Sequence, residues 1–226
     1  MTENTGVCVI THPLSAAGEN ATRTLLHILS GITSVSLVTA DLPADSTIWD
    51  DYDVAEVTDE GAGHSNAFTA ALRFFRNQIR MCQAIANRNE NIVLFFGATS
   101  YLLPVIFCRL LGKTVILEPR GDVPLTLRLN WEQRLPALVA RTLAGCVWML
   151  ERICYHLADA IITYTPAMAA ELNVDDFQPK LQPHGARYVD TETFTVQRPF
   201  AERDRVVGFV GRLDEEKNVR TLARAA

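Results

Sequence analysis

The chain has 226 residues, 48% of them hydrophobic and 21% charged, a composition that packs a core and excludes a disordered, collagen-like or low-complexity protein. Its net charge is −5 with no Lys/Arg block, which argues against a nucleic-acid footprint while leaving room for a local basic pocket. The five cysteines, Cys8, Cys82, Cys108, Cys146 and Cys154, are widely spaced without a C-x-x-C pair, so reduced, buried thiols of a cytosolic protein are expected rather than a disulfide framework or a zinc site.

Strand-like and helix-like segments alternate from the start. Val7 to Thr11 reads as a short strand, Pro13 to Asn20 as a polar loop, and Ala21 to Leu29 as a helix. The apolar run from Val7 to Ile10 is too short, and the preceding residues too poor in basic groups, for a signal peptide. Val35 to Thr39 and Tyr52 to Val57 read as the next strands. Residues 66 to 89 predict a helix capped by Asn66, with Phe68, Leu72, Phe75, Ile79 and Cys82 on one face. Ile92 to Phe96 is a continuous apolar run ending in Gly97, which suits a buried parallel strand. A helix over Tyr101 to Leu111 with a Gly112 C-cap and a strand over Thr114 to Leu117 follow. A long helix is expected from about Trp131 to Ala158, its Leu135, Leu138, Val139, Leu143, Cys146, Val147, Leu150, Ile153, Cys154 and Leu157 stripe facing the core, and then a strand over Ala160 to Tyr164. Arg109, Lys113 and Arg141 interrupt the longest apolar stretches, which stay short of the ~20 residues of a membrane span.

This alternation predicts an α/β fold: a Rossmann-like parallel sheet with helices on both faces. Residues 180 to 204 read as a connecting segment. Arg205 to Leu213 then predicts a strand and Lys217 to Ala226 a helix, the first unit of a second α/β domain that the chain does not complete. The expected division is residues 1–198 and 199–226.

Three features can carry chemistry. Gly211-Arg212, followed by Lys217 at a helix start, places an Arg and a Lys where parallel sheets bind anions; two surface cations paired with Asp214, Glu215 and Glu216 are the plain alternative. Glu118-Pro-Arg-Gly-Asp122 ends a strand as a charged, turn-like segment in which Arg120 can pair with Asp122. Arg141, Trp148 and Arg152 on one face of the long helix could touch a bilayer surface or simply be solvated. Gly61-Ala-Gly63 lacks the third glycine of a dinucleotide fingerprint and reads as a loop.

Taken in order, these residues resemble family 4 glycosyltransferases, which have the GT-B fold of two Rossmann-like domains facing across a cleft. Gly211-Arg212 with Lys217 resembles the start of that family's C-terminal domain. Asp159 to Thr165, Pro183-His-Gly185 with Asp190 and Phe194, and Glu118-Pro-Arg-Gly121 resemble stretches of its N-terminal domain. The resemblance implies the N-terminal half of a GT-B fold and a retaining transfer of a sugar from a nucleotide-diphosphate donor to a glycan or lipid-linked acceptor, with no metal or other cofactor. Arg212 and Lys217 would hold the donor diphosphate, and Gly18 would lie in the turn facing it, although Ala17-Gly18 replaces the family's Gly-Gly. Arg120 falls where many members place a histidine near the reacting sugar and, always protonated, could not act as a base. His184 replaces the family's Asn before Gly185 and reads as a surface or packing residue.

The glutamate pair and nucleoside pocket of that family lie beyond Ala226, so a truncated transferase, inactive as residues 1–226, is expected. It would be cytoplasmic, with peripheral contact at the inner face of the membrane left open. A non-catalytic acceptor- or membrane-binding module with a separate C-terminal partner, meeting it through Val219 and Leu222, is the competing reading. A GT-B relative that isomerises nucleotide sugars and a generic nucleotide-binding protein are further alternatives. The sequence does not name the sugar, the acceptor or the oligomeric state.

Overall fold

The computed structural model describes residues 6–14, 16–58, 67–183, 195–206, 208–211 and 219–225. Its strands are β1 (Val7–Thr11), β2 (Val35–Thr39), β3 (Asp53–Glu56), β4 (Ile92–Phe96), β5 (Thr114–Glu118), β6 (Ala160–Ile162) and β7 (Leu181–Gln182). Its helices are α1 (Ala16–Ser30), α2 (Ile48–Asp51), α3 (Ala67–Ala86), α4 (Leu102–Leu110), α5 (Val123–Glu132), α6 (Ala137–Leu157), α7 (Pro166–Glu171) and α8 (Val219–Ala225).

Among the described residues the seven strands form one parallel sheet in the order β3-β2-β1-β4-β5-β6-β7. The α/β sheet expected from the alternation is therefore present. The central strands are apolar at consecutive positions because both faces are covered. Val9 and Leu37 pack on one side with Leu26 of α1 and Ile48 of α2. Ile10, Val38, Val93 and Phe95 pack on the other with Met81 and Ile85 of α3, Val105 of α4 and Cys154 of α6.

Several sequence expectations change. Helix α1 begins at Ala16, so Gly18 lies in its first turn and not in a loop. The long helix is two: α5 starts on the cap of Asp122, whose carboxylate accepts the Leu125 N–H at 2.8 Å, and α6 starts after Pro136, which cannot sit inside a helix. Of the expected core stripe Cys154 is buried, whereas Leu138, Val139 and Cys146 are exposed, and the buried face of α6 is Ala140, Ala144, Glu151, Cys154 and Tyr155. Leu72, Phe75 and Ile79 of α3 are likewise exposed, while Gln78, Met81 and Ile85 are buried. β7 lies inside the segment read as a connection. Among the described residues, Arg205, Val206 and residues 208–211 form no strand. Asn66, the Gly61-Ala-Gly63 stretch and residues 184–194 lie outside the described residues. Cys8, Cys108 and Cys154 are buried, as expected, but Cys146 is exposed.

Gly112 ends α4 as anticipated: its φ is +71°, and the Lys113 N–H donates to the Cys108 carbonyl at 3.0 Å. At this amino end of the sheet Lys113 Nζ also donates to the carbonyls of Arg88 and Glu90, at 2.9 and 2.7 Å.

Candidate functional site at the carboxyl edge of the sheet

The strand order reverses between β1 and β4, and at such a point the two following loops diverge and leave a crevice. His12 directly follows β1, Gly97 directly follows β4, and Arg120 lies two residues after β5. The three converge. A Cβ on Gly97 would stand 3.3 Å from His12 Cε1 and 3.2 Å from Arg120 Cδ, and the Gly97 φ of +74° is one that glycine adopts without strain. The Gly97 N–H donates to the Glu118 carbonyl at 2.9 Å, which ties the β4 loop to the end of β5.

Arg120 stacks its guanidinium over the Phe96 ring, 4.6 Å from the centroid. The alternative of a pair with Asp122 is not formed, because Asp122 is the cap of α5. His12 carries an imidazole held below its ordinary pKa, first by partial desolvation and then by the neighbouring Arg120 cation. Both effects favour the neutral imidazole. Glu118 is buried, and burial raises its carboxyl to about 7 against the opposing pull of Arg120 and a hydrogen bond with Tyr164.

A second layer supports this edge. The Thr11 hydroxyl donates to Thr39 Oγ1 at 2.9 Å, and Thr39 Oγ1 donates to the Asp41 carbonyl at 3.2 Å. That carbonyl also accepts the Leu14 N–H at 3.0 Å, so the β1 loop is braced on β2. On the β4 loop the Thr99 hydroxyl donates to Glu151 Oε1 of α6. Glu151 is buried and its carboxyl too is raised to about 7, chiefly by desolvation and then by Asp122, against the Thr99 bond and Arg152.

Of the residues singled out from the sequence, Arg120 lies in this cluster. Gly18 lies in the first turn of α1, at the same end of the sheet. Gly211 is exposed beside the Phe209 ring, and Arg212 and Lys217 lie outside the described residues. Glu118 and Gly97 were noted only as strand ends, with no role, and His12, Thr99 and Glu151 were not given one either. Their shared signal was position: each of the first three sits at or just after the carboxyl end of a buried strand.

Arg152 of the basic and aromatic face is structurally engaged. Its guanidinium donates to the Leu172 carbonyl at 3.1 Å and to that of Asn173, and lies 5.3 Å from the Trp148 ring. Among the described residues no group of three or more His, Cys, Asp or Glu side chains could hold a metal ion, and no helix is long and apolar enough to cross a membrane.

No family model and no curated protein matches the sequence. Solved structures match by shape. The apo form of the lipopolysaccharide outer core galactosyltransferase WaaB aligns with a TM-score of 0.52 at 13% identity, over 78% of this chain and 44% of that one. The fold is that of one Rossmann-like half of a GT-B molecule. Sucrose-phosphate synthase from Thermosynechococcus elongatus aligns at 0.49 and 11% identity, over 75% and 44% of the two chains. UDP-N-acetylglucosamine 2-epimerase from Rickettsia bellii aligns at 0.47 and 16%, over 76% and 42%. The chain thus spans less than half the length of each of these structures.

Proposed function

We propose that this chain is the acceptor-side half of a glycosyltransferase that moves a sugar from a nucleotide-diphosphate donor to a glycan or lipid-linked acceptor. The observation that carries this reading is the convergence of His12, Gly97 and Arg120 where the strand order reverses, on a GT-B half-fold. A neutral imidazole can hydrogen-bond an acceptor hydroxyl and take its proton. Arg120 presents a fixed cation to an anionic substrate or to the charge growing on a departing diphosphate. Gly97 lets either approach the backbone closely. Arg212 and Lys217, by sequence, would hold the donor diphosphate, with Gly18 and Gly211 at flanking turns. Transfer with retention of configuration, without a metal, at the cytoplasmic side is the form the sequence resemblance supports.

The test is sugar transfer by the native polypeptide, supplied with a panel of nucleotide-diphosphate sugars and the glycan and lipid fractions of its source. Transfer that falls about a hundredfold in Arg120→Ala and in Lys217→Ala, with the fold intact, supports the proposal. Transfer insensitive to both substitutions, or none with any donor, overturns it. One further reading is an acceptor-binding module acting with a second chain, met through the exposed Leu222 of α8. Transfer that appears only when that second chain is added distinguishes it.

A further inference from the structure

Between α5 and α6 runs an open groove of about 400 Å³. Its apolar lining is Pro124 and Leu125 from α5, and Ala144, Gly145 and Trp148 from α6, with Asp122 at the start of α5. Arg128 and Arg141 line the same groove from the two facing helices. Their Nε atoms lie 3.8 and 3.6 Å from a single carboxylate oxygen, Glu132 Oε1. One carboxylate between two guanidiniums leaves these three groups net positive, and the Asp122 carboxylate that also lines the groove accepts the Leu125 N–H as the cap of α5. The buried Arg128 Nε has no hydrogen-bond partner, so Glu132 does not saturate the pair. A Cβ built on Gly145 meets nothing within 4 Å, so the groove is open directly above the middle of α6. Glycine there weakens the helix and supplies no packing surface; its physical consequence is space.

We propose that the α5–α6 groove binds an amphiphile with a single apolar chain and an oxyanion head group. The chain would lie along Leu125, Gly145 and Trp148, and the head would be held by Arg128 and Arg141. The planar, edge-donating guanidinium fits a phosphate or carboxylate, and two of them beside an apolar path select a charged head joined to an apolar tail. The volume falls in the range of small-molecule sites, about 300–1,000 Å³. The chain's net charge of −5 opposes flat docking on an anionic bilayer and leaves the paired arginines as a local exception. This site stands independently of the sugar-transfer reading, since binding here needs no donor.

The experiment is a titration of the whole chain with decyl phosphate below its micelle concentration, followed by calorimetry and tryptophan fluorescence. Parallel arms use decanoate, decanol, inorganic phosphate, and phosphatidylcholine vesicles containing phosphatidylglycerol. Saturable one-to-one binding of decyl phosphate or decanoate is expected, and preference between them names the head group. Decanol and inorganic phosphate should bind at least about tenfold more weakly, as should decyl phosphate to Arg141→Gln and Arg128→Gln. Gly145→Leu should abolish binding while melting no lower than the parent, because its side chain enters the open groove and leucine favours the helix. Unchanged affinity in Gly145→Leu and Arg141→Gln overturns the proposal. So does inorganic phosphate or decanol binding as tightly as the amphiphile, binding to vesicles alone, or no binding in any arm.

Discussion

The guanidinium of Arg120 is stacked on Phe96, the last residue of the adjacent strand, whose own partner across the ladder is Glu118. The cation is therefore positioned by an aromatic face and not by a neutralising carboxylate. A guanidinium whose face lies on a ring keeps its edge N–H groups for hydrogen bonds, which under the proposed function would go to an anionic substrate. Arg120→Lys keeps the charge and loses the planar contact. It should retain measurable transfer, about tenfold reduced, where Arg120→Ala falls about a hundredfold. Steady-state rates of the two variants check this, and equal losses would mean that charge is not what Arg120 supplies.

Arg120 also acts on His12. A cation beside an imidazole disfavours the imidazolium, so removing it must move the His12 pKa upward, toward the ordinary value. An NMR titration of His12 in Arg120→Ala should show that upward shift. A smaller downward displacement from the ordinary value will remain, because desolvation is the larger cause. No movement would separate the two residues in solution.

Gly97 is the hinge of the site's geometry. Gly97→Ala places a methyl 3.2 Å from Arg120 Cδ and 3.3 Å from His12 Cε1, at a φ that L residues rarely adopt. The backbone cost alone is about 1–2 kcal/mol. Thermal melting should show a loss of about 1–3 kcal/mol, and the His12 titration should shift as Arg120 is displaced.

The parallel sheet was legible because its strands are short apolar runs separated by helix-length segments. Val7–Thr11, Val35–Thr39 and Ile92–Phe96 stand in the structure at the bounds that pattern sets. Helix faces were less legible, for a physical reason. The buried face of α6 is built from Ala140 and Ala144, whose small size permits close packing, and from Glu151, whose burial depends on the Thr99 hydroxyl 52 residues away. A hydrophobicity pattern instead selects Leu138 and Val139, which are exposed. Of the candidate site, Arg120 was singled out through the family resemblance of the Glu118-Pro-Arg-Gly121 strand end. His12, Gly97 and Glu118 come together only through the sheet order, which no local pattern encodes.

The two buried glutamates set the pH dependence of stability. Glu118 and Glu151 are each raised from an ordinary value of 4.5 to about 7. The folded state holds their protons more tightly than the unfolded chain does. Their contribution is thus fully present below about pH 4.5 and is lost as pH rises through about 7. Each accounts for a loss of about 3 kcal/mol across that window. Glu151→Gln keeps an acceptor for Thr99 and cannot ionise. Denaturant titrations should show it more stable than the parent at pH 8, and the fall in stability between pH 5 and pH 8 should be about halved. Glu118→Gln should do the same at its own site.

Helix α3 offers the sharpest check on which face is the core. Met81 and Ile85 are fully buried against the sheet, and the buried Gln78 Oε1 accepts the Leu103 N–H at 3.1 Å at the start of α4. Phe74, one turn earlier on the same side, pairs with the Tyr101 ring at 5.2 Å. A polar residue interrupts this stripe, whereas Leu72, Phe75 and Ile79 form an unbroken apolar one that faces outward. Met81→Ala leaves a cavity and should cost about 2–5 kcal/mol. Phe75→Ala removes a half-exposed side chain and should cost about 0.5 kcal/mol or less. Gln78→Leu fills the volume but strands the Leu103 N–H in the interior, at about 1–3 kcal/mol. Denaturant midpoints of the three variants order the faces directly. A larger loss in Phe75→Ala than in Met81→Ala would turn the helix over.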